Sequence, residues 1–302
     1  MSTSALAQDK TAVILGTATP GGGFPVYGAA FAEIVNATDT SLSVQPKNTK
    51  GSTENVPLLE AGQLDIALVQ GEVVHEAISG IGRPPANLKI IAAIYSSPGM
   101  YVVRADSPYR SIADLKGKPV AFGAKGSGLV ILARYVLDGI GLGQERDFKA
   151  IYLERAGDGP AMVADGRAAA LWGAGLGWPG FIVVANTPGG ARFIAPDAGE
   201  IKRILAKHPF LRPMTVPAGS YRGQPEAIAS VGSWSFVLAR PTLPDEVAYR
   251  LARAVHQGQT ALAARLEQAR ETTLANTVAA APRKDLIHPG VLRYMREIGI
   301  SH

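Results

Sequence analysis

The chain has 302 residues, with 30 Lys or Arg against 25 Asp or Glu, and its formal net charge is +5. The balance of 47% apolar and 18% charged residues excludes wholesale disorder, and the absence of cysteine excludes disulfides, thiolate metal sites and cysteine nucleophiles. The scattered charges and 7% aromatic content do not indicate a nucleic-acid surface, and no apolar run approaches the roughly 18 residues of a membrane span.

The N-terminal residues are typical of the end of a secretory signal peptide. Ala5 and Ala7 have the Ala-x-Ala spacing of a cleavage site, although no charged region or apolar segment precedes them. We therefore expect a cleaved signal peptide, largely absent from this sequence, and a mature chain that begins near Gln8. The alternative is an ordinary N-terminus in which the spacing occurs by chance.

Strand and helix patterns alternate along the chain, which favours an α/β architecture with largely parallel strands. Strands are predicted over residues 11–15, 42–45, 65–69, 89–94, 118–122 and 231–238. Helices are predicted after the loops 17–23 and 124–128, over 52–59, from Pro244, over 257–269 and over 291–298. The same strand–loop–helix order occurs in both halves at nearly the same offset, which suggests two lobes of related topology.

Conventional catalytic and cofactor signatures are mostly missing. The five histidines are not spaced as metal ligands, and neither a Gly-x-Ser-x-Gly elbow nor a Walker lysine occurs. Residues 175–180 match Gly-x-Gly-x-x-Gly, but Pro179 removes a backbone donor and residues 181–184 read as a strand. We therefore expect neither metal nor cofactor, and an enzyme on this scaffold is only a remote alternative.

Two glycine-rich loops follow predicted strands, at the sheet edge where open α/β sheets bind ligands. Their hydroxyls and free backbone N–H groups lie at predicted helix starts, which favour an anion such as a carboxylate. This pattern predicts ligand contacts from Thr17, Thr19, Gly22, Ser127 and Gly128. The competing interpretation is that the glycines merely form tight turns, and Lys125 reads as a solvated loop lysine.

Other candidate contacts also come just after predicted strands. Gln70 follows the strand over 65–69, and Glu72 lies two residues further on. Ser52 starts the predicted helix over 52–59, which precedes that strand. Tyr95, Trp172 and Trp178 could wall a pocket. A serine at a helix start is more often a cap, and an aromatic ring at a strand end is as often part of the core.

Several motifs together resemble the TAXI family, the solute-binding proteins of tripartite (TRAP) transporters. The resemblance rests on Gly16-Thr17, Gly21–Gly23, Tyr27-Gly28, Gly51–Asn55, Ala61–Gln70, Val103–Ser107, Ser111–Lys118, Gly123–Gly128, Val216–Tyr221 and His288–Gly290 with Arg293-Tyr294. These segments span nearly the whole chain. Residues 111–118 are less specific, because binding proteins of ABC systems share them. Within the resemblance, Tyr27 joins the candidate ligand contacts.

The resemblance implies a type II periplasmic binding fold with two α/β lobes, a ligand cleft and a two-strand hinge. We expect one lobe to comprise 8–101 and 232–302 and the other 102–231, with hinge strands near 99–103 and 230–238. Three segments depart from the family pattern: residues 19–21, the Gly71-Glu72 pair and residues 170–175. The last two line the expected pocket, so the solute is expected to differ from the glutamate-like solutes of some members.

The resemblance implies an extracytoplasmic solute receptor that captures a small organic, carboxylate or amino-acid-like solute. Its expected partners are an anionic solute and the fused small and large TRAP membrane subunits, with no nucleic acid. We expect a periplasmic monomer. The first alternative is the binding protein of an ABC importer for a sulfonate, nitrate or similar small anion.

Overall fold

The structure, a computed structural model, describes residues 10–301. The signal-peptide prediction for Ala5, Ala7 and Gln8 therefore lies outside the described residues. Within them, strands and helices alternate, as the sequence pattern predicts.

The strands join into one continuous, mixed sheet in the order β2-β1-β3-β10-β4-β7-β5-β6, with β8 added beside β4 and β9 beside β10. Their bounds are β1 Thr11–Gly16, β2 Leu42–Lys47, β3 Ile66–Gln70, β4 Lys89–Arg104, β5 Pro119–Ala124, β6 Lys149–Leu153, β7 Ala170–Ala174, β8 Ala191–Ile194, β9 Arg212–Val216 and β10 Ile228–Ala239.

Helices connect the strands and cover the sheet. Their bounds are α1 Gly23–Thr38, α2 Ser52–Glu60, α3 Gly71–Ser79, α4 Gly128–Gly139, α5 Gln144–Asp147, α6 Gly159–Ala164, α7 Pro179–Ala185, α8 Ala198–Lys207, α9 Asp245–Arg265, α10 Leu274–Ala280 and α11 Pro289–Glu297. A 3-10 turn over Ala156–Asp158 precedes α6.

Two long antiparallel strands, β4 and β10, link the two halves of the sheet. They pair with each other, for example at Ser97 and Ser233. Toward its C-terminal end β4 pairs with β7 and β8, whereas β10 pairs with β9 in its first part and with β3 in its last. Each half thus has its own parallel strands and shares the two long strands with the other.

The apolar core is divided in the same way. One buried cluster contains only residues between Met100 and Val231. Two others draw on residues up to Tyr95 and again from Phe236 onward. Fully burying one large apolar side chain contributes about 1.5–3 kcal/mol, so each half has the core of an independent lobe. The two-lobed α/β fold predicted from the sequence is confirmed.

Some predicted elements were wrong. Residues 181–184, predicted as a strand, belong to helix α7, where Phe181 and Val184 are buried while Ile182 and Val183 are 41% and 53% exposed. This is a helical spacing, and Pro179 at the first helical position favours it. Helix α3 was not predicted and follows β3 directly, and the predicted strand over 89–94 and the expected hinge strand near 99–103 form one continuous strand, β4.

Candidate functional site

The loops that follow β1 and β6 join the two lobes on one side of the cleft. The Ala156 backbone N–H donates to Thr19 Oγ1 over 3.1 Å, and the Gly157 N–H donates to the Pro20 carbonyl over 3.3 Å. Gly21, the next residue in the first loop, has φ +83°, and a Cβ on it would lie 2.4 Å from Gly157 Cα in the other loop. Only glycine permits this backbone approach.

The loops before α2 and α4 meet on a second side. Thr53 donates both its backbone N–H and its hydroxyl to the Gly126 carbonyl, over 3.2 and 3.0 Å. Gly51, with φ +119°, packs against the same carbonyl. Because residues 51–53 and 126 belong to opposite lobes, the structure shows the cleft closed.

A third contact joins helices α3 and α4. Arg134 forms an ion pair with Glu76, and the Tyr135 hydroxyl donates to the same carboxylate over 2.8 Å. Arg134 therefore contacts the opposite lobe and does not line the cavity. Lys125 pairs with Glu154 in solvent, as expected of a loop lysine.

The cleft between the lobes contains a cavity of about 40 Å³ that stays partly open to solvent. Five of the predicted contacts line it: Thr19, Gly22, Gln70, Tyr95 and Ser127. The other lining residues are Ala18, Gly23, Phe24, Ser97, Ala124, Leu129, Ala156, Ala174, Trp178 and Ser235. All of these side chains are uncharged, so the wall consists of hydroxyls, one amide, backbone, and apolar or aromatic groups.

Two helix N-termini point toward the cavity. Helix α1 begins after Gly22, where no side chain caps it, and its first backbone N–H groups lack intrahelical partners. Helix α4 begins after Ser127, whose Oγ accepts the Leu129 N–H over 3.2 Å. The hydroxyl proton of Ser127 stays available as a donor. Both helix starts favour a negative charge.

Two buried polar side chains in the cavity wall lack a hydrogen-bond partner among the described residues. Gln70 and Tyr95 are each 5% exposed. The Gln70 backbone N–H donates to Ser52 Oγ, but its amide group is free. The Tyr95 ring packs edge-on against Phe24 and Tyr27, and burial strongly raises the pKa of its hydroxyl. The polar atoms of both side chains are accessible from the cavity, so these two groups are suited to pair with a bound solute.

The structure places several predicted contacts outside the cavity wall. Thr17 Oγ1 donates to the Lys47 carbonyl, the Tyr27 hydroxyl pairs with Thr272 over 2.9 Å, and Ser52 holds the end of β3. The Trp172 indole donates to the Leu129 carbonyl over 2.9 Å inside the buried cluster between Met100 and Val231. These four side chains stabilise the fold around the cavity, and we do not retain them as solute contacts.

Gly128 and Glu72 form a contact between the lobes behind the cavity wall. A Cβ on Gly128 would lie 2.6 Å from Gln70 Oε1 and 2.8 Å from Glu72 Oε1. Glu72 is fully buried, accepts a 2.5 Å hydrogen bond from Ser233 on Oε2, and has no partner on Oε1. Burial raises the pKa of Glu72 to about 7.

The sequence did not indicate all of the wall. Ser97 and Ser235 pair over 3.2 Å across the two linking strands and line the cavity floor. Phe24 lies in the first turn of α1, and Trp178 packs on Gly23 from the opposite lobe. The sequence suggested Trp178 because it follows a predicted strand, but no local pattern marks Ser97, Ser235 or Phe24 as wall residues.

Residues 10–301 contain no candidate metal site and no candidate membrane-spanning helix. Over residues 10–301, no group of three His, Cys, Asp or Glu residues could hold a metal ion. No helix in the same range is both long and apolar enough to cross a membrane.

Comparison with known proteins shows the same architecture in solute-binding proteins. The profile of the NMT1-like family matches residues 15–299. The periplasmic binding protein BugD is 13% identical, with 98% of this chain and 99% of that chain covered and a TM-score of 0.61.

Two further structures are described as binding proteins. The alkanesulfonate-binding protein SsuA from Xanthomonas axonopodis pv. citri, bound to MOPS, is 18% identical, with coverage of 91% and 84% and a TM-score of 0.52. A binding component of an ABC phosphonate transporter from Pseudomonas aeruginosa is 13% identical, with coverage of 86% and 80% and a TM-score of 0.55. These similarities establish the fold.

Proposed function

Because this chain belongs to the NMT1-like family, we propose that it is an extracytoplasmic solute receptor that captures a small organic solute between its two lobes. One observation carries the proposal: the two lobes meet around a cavity whose wall holds the Gln70 amide and the Tyr95 hydroxyl, and neither group has a hydrogen-bond partner within residues 10–301. A solute could pair with both groups. The uncharged wall and the absence of a nucleophile with an adjacent base in it favour binding over catalysis.

We propose the lobe boundaries given above, 8–101 with 232–302 and 102–231, and a hinge in β4 and β10. The separate apolar cores and the two shared strands support this division. Rigid lobes joined by short segments commonly close around a ligand by hinge motion. The backbone contact at Gly21 and Gly157 would then form on closure.

We also propose delivery to a TRAP transporter with fused small and large membrane subunits, by a monomeric TAXI-type receptor in the periplasm. The motifs shared with that family along nearly the whole chain support this assignment. The alternative is an ABC importer, favoured by the fold shared with the alkanesulfonate and phosphonate proteins. Transport that continues after ATP depletion but requires an ion gradient would support TRAP delivery, and strict ATP dependence would support the alternative.

Solute-induced closure can be measured directly because the chain has no cysteine. Val26 on α1 and Val183 on α7 are exposed in opposite lobes, so spin labels on a V26C/V183C variant report their separation. We expect the distance to shorten with a solute that stabilises the protein in a thermal-shift screen of organic acids and amino acids.

The matched control is V183C/K202C, whose labels lie in one lobe and whose distance should stay constant. If a solute binds tightly and neither pair changes, the lobes do not close on it. If no organic acid or amino acid of any size binds, the receptor proposal fails.

A further inference from the structure

From the cavity wall we infer that the solute is a short monocarboxylate without an ammonium group or a second acid group. This inference rests on the proposed function, and it narrows the expected carboxylate or amino-acid-like solute to one class. It follows from cavity size, from the donors in the wall and from the charges near it.

Size limits the solute first. One buried water needs a volume of roughly 10–15 Å³. The cavity has about 40 Å³. The cavity therefore holds on the order of three or four such groups, which suits the polar head and first carbon atoms of a short solute.

Donors for one carboxylate converge on this cavity. An ionised carboxylate accepts about four hydrogen bonds. The first backbone N–H groups of α1 and the Ser127 hydroxyl at the start of α4 point toward it. The buried amide of Gln70 and hydroxyl of Tyr95 add two side-chain donors that have no other partner among the described residues. These groups could stabilise one anionic head by hydrogen bonds and orient it.

A second charge would find no counter-charge. All lining residues are uncharged, and an ion taken out of water without a partner is strongly disfavoured. The carboxyl groups of Glu72 and Glu271 are not part of the wall, and they accept hydrogen bonds from Ser233 and Ser96. An amino group would thus lack an acceptor anion, and a second carboxylate would face Phe24, Leu129 and Trp178.

A matched set of four-carbon compounds tests the inference: butyrate, 2-aminobutyrate, succinate and 1-butanol. Calorimetry and thermal shift on the full chain should show butyrate binding at least about tenfold more tightly than each of the others, the loss expected when one charged group or its hydrogen bonds go unpaired. Tighter binding of 2-aminobutyrate or succinate would overturn the class while leaving the receptor proposal intact.

A Gln70→Leu variant checks that the wall supplies the donors. It keeps the side-chain size and removes the amide, so butyrate should bind about tenfold more weakly while 1-butanol is unaffected. The melting temperature without ligand shows whether the variant is folded, and Ser127→Ala gives an independent variant with the same expected loss. Failure of all four compounds to bind would overturn the inference, and the wider organic-acid screen then decides the receptor proposal separately.

Discussion

Ser233 on strand β10 donates a 2.5 Å hydrogen bond to Glu72 Oε2 on helix α3, while the other oxygen of this fully buried carboxyl group has no partner. Ser233 lies on one of the two strands shared by the lobes, and Glu72 Oε1 faces Gly128 of the opposite lobe. A carboxyl group at the contact between the lobes is therefore held mainly in its protonated form below neutral pH.

This arrangement predicts a stability that falls as pH rises. Burial raises the pKa of Glu72 from 4.5 to about 7, so the folded chain binds more protons than the unfolded chain between these values. The free energy of unfolding should drop across that window by about 3 kcal/mol. Urea unfolding at pH 5 and pH 8 measures the slope.

Glu72→Gln should remove this part of the pH dependence, because the amide does not titrate. Glu226→Gln, at an exposed position, is the matched control and should keep the wild-type slope. Equal slopes for wild type and Glu72→Gln would show that Glu72 is not the responsible group.

Gly21→Ala should impair closure. A methyl group there would lie 2.4 Å from Gly157 Cα across the cleft, and φ +83° disfavours any side chain. Two variants serve as controls. In Gly157→Ala the new Cβ lies at an ordinary contact distance of 3.4 Å from Gly21 Cα, and in Gly62→Ala the backbone has a similar positive φ but nothing lies within 4 Å of the new Cβ. We expect the solute to bind at least about tenfold more weakly to Gly21→Ala, as measured by calorimetry, with near-normal binding in the two controls.

Ser127→Ala should weaken solute binding by about tenfold or more, since a hydrogen bond to a charged group contributes roughly 1.5–3 kcal/mol. Ser111→Ala removes a comparable hydrogen bond from the backbone to a serine, because Ser111 Oγ accepts the Asp114 N–H over 3.3 Å and Ser111 does not line the cavity. Its solute affinity should match that of wild type. The same loss in both variants would mean that capping, and not solute contact, matters.

Arg134→Ala should change solute affinity less than about fivefold. Its ion pair with Glu76 joins the lobes, but Arg134 is half exposed, and exposed pairs contribute at most about 1 kcal/mol. Calorimetry on this variant decides between roles: a collapse of affinity would place the anion site at α3 and α4 instead of the cavity.

Trp172→Phe should destabilise the fold by about 1–3 kcal/mol, because the buried Leu129 carbonyl loses its indole donor. Chemical unfolding measures this change. Solute affinity should stay near that of wild type, since Trp172 lies in the core behind the wall. A large affinity loss with unchanged stability would return Trp172 to the solute contacts.

The sequence alone determined the α/β class, the two lobes, and the glycine loops before α1 and α4. These features depend on short-range periodicity and backbone preference, which neighbouring residues set. Thr19, Gly22 and Ser127 were predicted this way and line the cavity, because a loop between a strand and a helix start has few alternative positions.

Tertiary structure alone decided which face each side chain meets. Successive residues of a strand point to opposite sides of the sheet, and the sequence does not say which side faces the cleft. In the structure, Tyr95 on β4 lies in the cavity wall, whereas Trp172 on β7 lies in the core. Ser97 and Ser235 are brought together by pairing between strands 138 residues apart, and Gly21 meets Gly157 across the cleft. Such contacts depend on the packing of one lobe on the other, a long-range relationship that no local pattern records.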